Sequence, residues 1–373
     1  MRALESLYLG TKNTIIFELF SLLIYCFSLL YFILNSELTV AQIGVGYWGP
    51  NLLRNLVSNE ECHVKFAVDI SAERRDFVQS LYPEIQVSND AEEIFSDSDI
   101  DAVVIATPVR SHFDLTMRAL EANKHVLIEK PMATTVAEVD QLGKLAESKN
   151  LIAMVGHTFL YNPAVRHIKK IIDAGELGDI RYIYSQRVNL GRIRSDVDAL
   201  WNLAPHDVSI IQYWLNNSEP EYVKRVGMDY VQNGVDDVVF LSIKYPNHIL
   251  ANIHVSWLDP HKIRKMTVVG SERMVVYDDI AENKVTIFDK GIDRMAVLGK
   301  YMDFDKPNPL NFNHRSGDVV VPEIAWEEPL KVEIQHFVDC ILKKTPCLTG
   351  VDHAKQVVAI LAAGSEKLVF LEN

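Results

Sequence analysis

The sequence predicts a doubly wound, parallel α/β domain followed by an α+β domain built on a largely antiparallel sheet. Three observations predict it. Short apolar runs alternate with amphipathic helical stretches from residue 38 to about residue 156. The run from Asp101 to Ala106 (DAVVIA) is apolar on both phases after its first residue, as a strand covered by helices on both faces must be. Beyond about residue 160 the texture changes to alternating segments spaced about ten residues apart, with turn residues between them. At 373 residues the chain exceeds one ordinary core, so two domains are expected, with 38–158 as the first and 159–373 as the second.

The elements follow in order. Leu38 to Ile43 is a strand, and a helix carries Leu52, Leu53, Leu56 and Val57. Val64 to Val68 is the second strand, followed by the helix SAERRDFVQSLY. Val87 marks a short strand before DAEEIFSD. After the 101–106 strand come a helix over 111–122, a strand over 124–128, a helix over 136–148 and a strand over 152–155. A helix over 163–174 ends at Gly175. The sheet segments are then IRYIYSQRV, VVFLSIKYP, ILANIHVSWL, RKMTVVGS, RMVVYDD and KVTIFD, and helices are expected over 333–343 and 351–370. The boundary near 156–162 has no flexible linker, which predicts two domains in contact and a cleft between them.

The first strand runs into Gly44-Val45-Gly46-Tyr47-Trp48-Gly49 and then a helix. In that context the pattern G-x-G-x-x-G reads as the dinucleotide-binding loop of a Rossmann domain. Gly44 permits the tight turn, Gly46 lets backbone approach a pyrophosphate, and Gly49 allows close helix–strand packing. The helix N-terminus offers its amide hydrogens to the phosphates. Asp69 ends the second strand, twenty positions after Gly49. Its carboxylate would accept hydrogen bonds from ribose hydroxyls and repel a 2′-phosphate, favouring NAD; Arg74 and Arg75 a turn later leave NADP open. Thr107 and Pro108 end the central strand on the side where such sheets bind ligands, so with His112 they are expected to border the nicotinamide half. His112 reads equally as a surface residue at a helix start.

Net charge is −13, which argues against general nucleic-acid binding. Four cysteines (Cys26, Cys62, Cys340 and Cys347) show no CxxC or metal-like spacing, so free thiols, a reducing cytoplasm and no metal are expected.

The runs GVGYWGPNLLRN, ATPVRSH, HVLIEKPMATT and VGHTFLYNPAVR stand in the order of the Gfo/Idh/MocA family of sugar and inositol dehydrogenases, which the chain resembles over residues 38–373. Glu129-Lys130-Pro131 is the most specific element. The resemblance implies a C-terminal domain with an open mixed sheet, Lys130 near both nicotinamide and substrate, and a homo-oligomer (dimer or tetramer) joined through the sheet's exposed face. Oxidising a carbinol requires a base that can reach the hydroxyl proton. His206 in LWNLAPHDVSIIQYWL is expected to be that base, at a helix start facing the cleft; the family places its catalytic His there. A structural capping role is the alternative. Lys130 would stabilise the developing alkoxide. Many relatives carry Asp where this chain has Asn202, which can orient a hydroxyl but cannot act as a base. Asp207 would orient His206 or cap the following helix.

Arg192 and Arg194, two apart beside this motif, suggest an anion near the sugar, though a solvated loop fits them nearly as well. YWGPN, GHTFLYNP, RIRSD and LAPHD look most like nucleotide-sugar members of the family, which oxidise the 3-hydroxyl of UDP-N-acetylglucosamine or its uronate to a ketone that an aminotransferase uses in surface-glycan or lipid A synthesis. His157, Tyr161 and Asn162 are then sugar or pyrophosphate contacts, with core packing the alternative for Tyr161. A free-sugar or inositol dehydrogenase is the second reading, and a non-catalytic dinucleotide sensor the third.

Residues 1–37 stand apart. Ile15 to Leu34 is apolar except for Glu18, long enough to cross a bilayer, and the first strand starts about four residues later. Three readings stay open: a spurious extension upstream of a start at Leu38, a membrane-associating helix, and a processed signal.

Overall fold

A computed structural model of the protein describes residues 37–191, 193–294 and 312–365. The N-terminal extension and Arg192 lie outside them. No helix among the described residues is long and apolar enough to cross a membrane.

The first half is a six-stranded parallel sheet: β1 (Leu38–Ile43), β2 (Cys62–Val68), β3 (Gln86–Ser88), β4 (Ala102–Ile105), β5 (His125–Glu129) and β6 (Ala153–Gly156). Its order is β3-β2-β1-β4-β5-β6, so the strand order reverses between β1 and β4. β4 is buried along its whole length, in accord with its unbroken apolar run. The helices α1 (Gly49–Val57), α2 (Ala72–Leu81), α3 (Glu92–Ser96), α4 (His112–Glu121) and α5 (Val136–Ser148) connect the strands. Thr135 and Glu138 form a reciprocal capping box at the start of α5.

The second half carries α6 (Pro163–Asp173) and then β7 (Ile180–Val188), α7 (Ala199–Trp214), β8 (Tyr222–Met228), β9 (Val238–Lys244), β10 (Leu250–Ser256), β11 (Ile263–Gly270), β12 (Met274–Asp278), β13 (Val285–Arg294) and β14 (Phe312–Val320). The eight strands pair in the order β14-β13-β12-β11-β7-β10-β9-β8. Only the β7–β10 pairing is parallel. β8 and β14 are absent from the expected segments, and they are the two edges of the sheet. An edge strand buries little, so it needs no strong apolar alternation; β8 is mostly solvent-facing.

The last helices, α8 (Pro329–Leu342) and α9 (Val351–Ala363), return to the first half rather than extending the second sheet. Glu328, which begins α8, pairs with Arg54 of α1 at 2.5 Å. Lys355 of α9 meets Asp140 of α5 at 2.7 Å, and the Thr349 carbonyl accepts from the Val155 amide of β6 at 2.9 Å. One face of the second sheet is covered by α7, whose buried Val208 and Ile211 belong to the core. The other leaves Tyr182, Tyr184, Val226, Met228 and Phe240 exposed.

Candidate active site

The glycine loop is shaped by contact at its ends and by space at its middle. Gly44 has φ +93°, and a Cβ there would lie 2.6 Å from the Ala106 carbonyl oxygen. A Cβ on Gly49 would lie 2.5 Å from the Gly44 carbonyl oxygen. At Gly46 a Cβ would meet nothing within 4 Å, so its face is the open cradle. These residues fit a dinucleotide: the backbone can reach a pyrophosphate at Gly46, beside the start of α1. Buried Gln42 donates from one amide nitrogen to the Gly44 and Gly49 carbonyls, both at 2.9 Å. Sequence reasoning missed this staple; a polar residue in the inward phase of a buried strand was its signal. Asp69 stands at the rim as expected. Its carboxylate accepts from the Val45 amide (2.7 Å) and the Ser71 amide (2.9 Å). Arg75 donates to the Asp69 carbonyl at 2.7 Å. Tyr47 and Trp48 flank the cradle in the open.

The ends of β4 and β5 lie next to this loop. Thr107 accepts from the Ser111 hydroxyl at 2.8 Å, just before Pro108 opens the turn into α4. His112 is not a surface residue. It is buried, with its ring nitrogens 2.7 Å from the Pro131 carbonyl and 2.8 Å from the Thr107 carbonyl. It ties the β4 turn to the turn that carries Lys130. Burial lowers its pKa. Glu129 accepts from the Lys130 amide at 3.1 Å, and burial raises its pKa.

Lys130 reaches across to the second half. Its Nζ donates to the main-chain oxygen of Asn202 in α7 at 3.0 Å. Burial draws its pKa down to about 8; Glu129 opposes this, while Arg194 and Arg187 add to it. His206 follows Asn202 by one helical turn, on the same face. It does not head its helix: α7 begins at Ala199, where Asp198 caps the Trp201 amide, and Pro205 lies inside. A proline that reads as a first-turn residue misplaces the start. The His206 ring keeps some exposure, its Nδ1 has no partner among the described residues, and Phe159 meets it edge-on at 5.0 Å. Burial first, then the charges of Lys130 and Arg187, hold its pKa well below the ordinary value. The crevice therefore presents a neutral imidazole near an ammonium.

Several expected contacts resolve differently. Asp207 neither orients His206 nor caps α7. It is buried and accepts from Ser185 (2.7 Å) and Arg187 Nε (2.7 Å). Arg187 lies 4.6 Å over the Phe159 ring, so this ion pair backs the wall that His206 touches. Ile183 sets the inward phase of β7 and puts Ser185 and Arg187 on it; a charge on that phase was the missed signal. Asn202 spends its side-chain oxygen on Trp257 Nε1 at 3.2 Å. Tyr161 is core, bonded to Thr349 Oγ1 at 2.9 Å. Asn162 is buried and caps α6 through the Ala164 amide. His157 is buried, its Nδ1 without a partner among the described residues, and stands edge-on to His353 at 5.1 Å. Behind it, buried Glu333 takes the Thr158 hydroxyl at 2.8 Å, and burial pushes its pKa well up. Arg194 is partly exposed, with its guanidinium on Asp196 at 2.5 and 2.8 Å.

Residues 38–157 match the model of an oxidoreductase family with an NAD-binding Rossmann fold, and residues 165–276 match a GFO/IDH/MocA C-terminal domain. A UDP-N-acetylglucosamine 3-dehydrogenase from Acidithiobacillus ferrooxidans is 29% identical over 263 residues, 70% of this chain and 77% of that protein. A scyllo-inositol 2-dehydrogenase (NAD(+)) from Bacillus subtilis is 25% identical over 336 residues, 86% of this chain and 91% of the relative. For two further curated relatives the match spans 58% and 59% of their length. Among solved structures, the UDP-N-acetylglucosamine 3-dehydrogenase GnnA from Acidithiobacillus ferrooxidans shares the fold with TM-score 0.72, at 23% identity over 87% of this chain and 96% of that one.

Proposed function

The chain belongs to the Gfo/Idh/MocA oxidoreductase family, and from that premise we propose that it oxidises a sugar hydroxyl to a ketone in the crevice between the glycine loop and α7. The observation that carries this reading is the reach of Lys130 from β5 to the Asn202 carbonyl, one turn from a neutral His206. NAD, when bound, supplies the hydride acceptor. His206 takes the hydroxyl proton, for which a neutral, partly exposed imidazole is suited. Lys130 stabilises the oxygen as it loses that proton. Asn202 holds Lys130 in place through its main chain and offers no carboxylate to relay the proton. We assign residues 38–158 to the dinucleotide and 159 onward to substrate and assembly, with α8 and α9 bracing the first half.

The substrate we favour is a UDP-N-acetylhexosamine or its uronate, oxidised at the 3-hydroxyl, with an aminotransferase as the class of enzyme that would consume the ketone. Support comes from the 29% identical relative and from partly exposed Arg194, whose charge acts on Lys130. A diphosphate could displace Asp196 from that guanidinium. Because Asp196 already satisfies Arg194, a neutral polyol such as an inositol is the second reading. The test is NADH formation against UDP-N-acetylglucosamine, its uronate, myo-inositol and glucose, with the ketone removed by a coupled transamination. Turnover of the nucleotide sugars with a raised KM in Arg194→Ala supports the first reading. Turnover of inositol alone supports the second. We also assign the exposed face around Tyr182, Tyr184 and Phe240 to a homo-oligomer; Phe240→Glu should reduce the mass measured by light scattering.

A further inference from the structure

We propose that His336, Cys340 and Cys347 form a binding site for a soft divalent cation, zinc by preference, away from the crevice. Their ligand atoms all lie within 4.8 Å of one another. His336 and Cys340 sit four apart on α8 and so share a face. Cys347 comes back to them from the segment between α8 and α9, which is why sequence spacing alone hides the group.

The His336 Nε2 to Cys340 Sγ distance is 3.5 Å. Zinc–nitrogen bonds of about 2.0–2.1 Å and zinc–sulfur bonds of about 2.3 Å give a nitrogen–sulfur edge of about 3.5 Å in a tetrahedron. The His336 Nε2 atom lies against both the Cys340 sulfur and the Leu348 amide. The Leu348 amide donates to Nε2 at 3.0 Å, so that nitrogen carries the lone pair and the proton is on Nδ1. An ion would take over that lone pair. Two sulfurs and an imidazole select zinc-like ions over magnesium or calcium. Cys340 is buried, while His336 and Cys347 are partly exposed, which leaves an entry path and a fourth position for water.

The site would be structural. Cys347 stands two residues before Thr349, whose carbonyl holds β6 and whose hydroxyl holds Tyr161. The Tyr161 ring lies 5.4 Å from His336. An ion here would lock the α8–α9 connection against the strand that leads into His157, and binding would add to folding stability.

The test uses tag-free, full-length protein, kept reduced, stripped with a chelator and titrated with zinc or cobalt alone. One ion per chain, a near-ultraviolet thiolate-to-cobalt absorption and a melting temperature that rises with zinc are expected. Cys347→Ser, at a partly exposed position, should keep the fold by circular dichroism, lose the cobalt band and weaken zinc binding on the order of 10²-fold. Cys62→Ser should bind as the parent does. Zinc binding unchanged in Cys347→Ser, absence of the cobalt band in the parent, or a Cys340–Cys347 disulfide in protein isolated without reductant would each overturn the site.

Discussion

Between Gly44 and Gly49 six consecutive residues make a cradle from backbone, whereas the crevice beside it is assembled from β5, α7, β7 and the turn at Phe159. The cradle works by steric exclusion. Two glycines are dictated by atoms 2.5–2.6 Å from an imagined Cβ, and one by a space left empty. The crevice works by electrostatics. Lys130, His206, His157 and Glu333 are all shifted toward their neutral forms, with burial the largest cause in each. On the function proposed above, the difference teaches that binding and chemistry should be separable, because shape would hold one and desolvated polar groups the other.

The largest expected effect separates them directly. Lys130→Ala removes the only ammonium bonded to the Asn202 carbonyl among the described residues. Turnover should fall by about 10²–10⁴-fold, with NAD affinity by calorimetry changed little. Turnover near the parent's would break the division. Next comes the wall behind His206. Asp207→Asn leaves Arg187 buried with its charge uncompensated, which should cost about 3–5 kcal/mol in denaturant unfolding. Gly44→Ala strains a φ of +93° and meets the Ala106 carbonyl; about 1–3 kcal/mol of stability should be lost, together with NAD binding.

These effects also mark what the sequence made legible. The cradle is one contiguous stretch whose spacing mirrors its geometry, so the tight turn at Gly44, the open face at Gly46 and the close packing at Gly49 were readable. The parallel sheet was readable because short apolar runs alternate with helices and its central strand β4 is apolar on both phases. Lys130 and His206 came from motif resemblance. Their partners did not, since Arg187 and Asp207 lie twenty positions apart and meet only in space. Tyr161 and Asn162 show the limit in the other direction. A motif gathers residues near a site without fixing which way each points, and these two point into the core and at a helix end. The grouping of His336, Cys340 and Cys347 was hidden because, as with Arg187 and Asp207, it forms only in space.

The pH profile tests the crevice alone. His206 stays neutral to well below its ordinary pKa, so acidification toward that value should leave the base competent. Lys130 carries its charge only below about 8. If that charge stabilises the alkoxide, kcat/KM should fall as pH rises through about 8, approaching tenfold per unit beyond it. Lys130→Arg should carry this alkaline limb out of range even at reduced rate, since guanidinium does not deprotonate there. An unchanged limb would assign it to another group.

The smallest effect is the sharpest test of the comparison. Gly46→Ala puts a methyl where nothing lies within 4 Å and where φ is not in the left-handed region. The folded chain has room for it, and the unfolded chain loses freedom, so stability should hold or rise by about 0.4–1 kcal/mol. The same methyl stands in the space that a pyrophosphate would need. Melting temperature without ligand should therefore stay level or increase while the NAD dissociation constant rises several-fold. If both worsened together, Gly46 would be a turn residue like Gly44, and the cradle would be shaped by contact throughout. If neither changed, the dinucleotide would approach the loop elsewhere, and Gly46 would have no more claim on it than any exposed backbone.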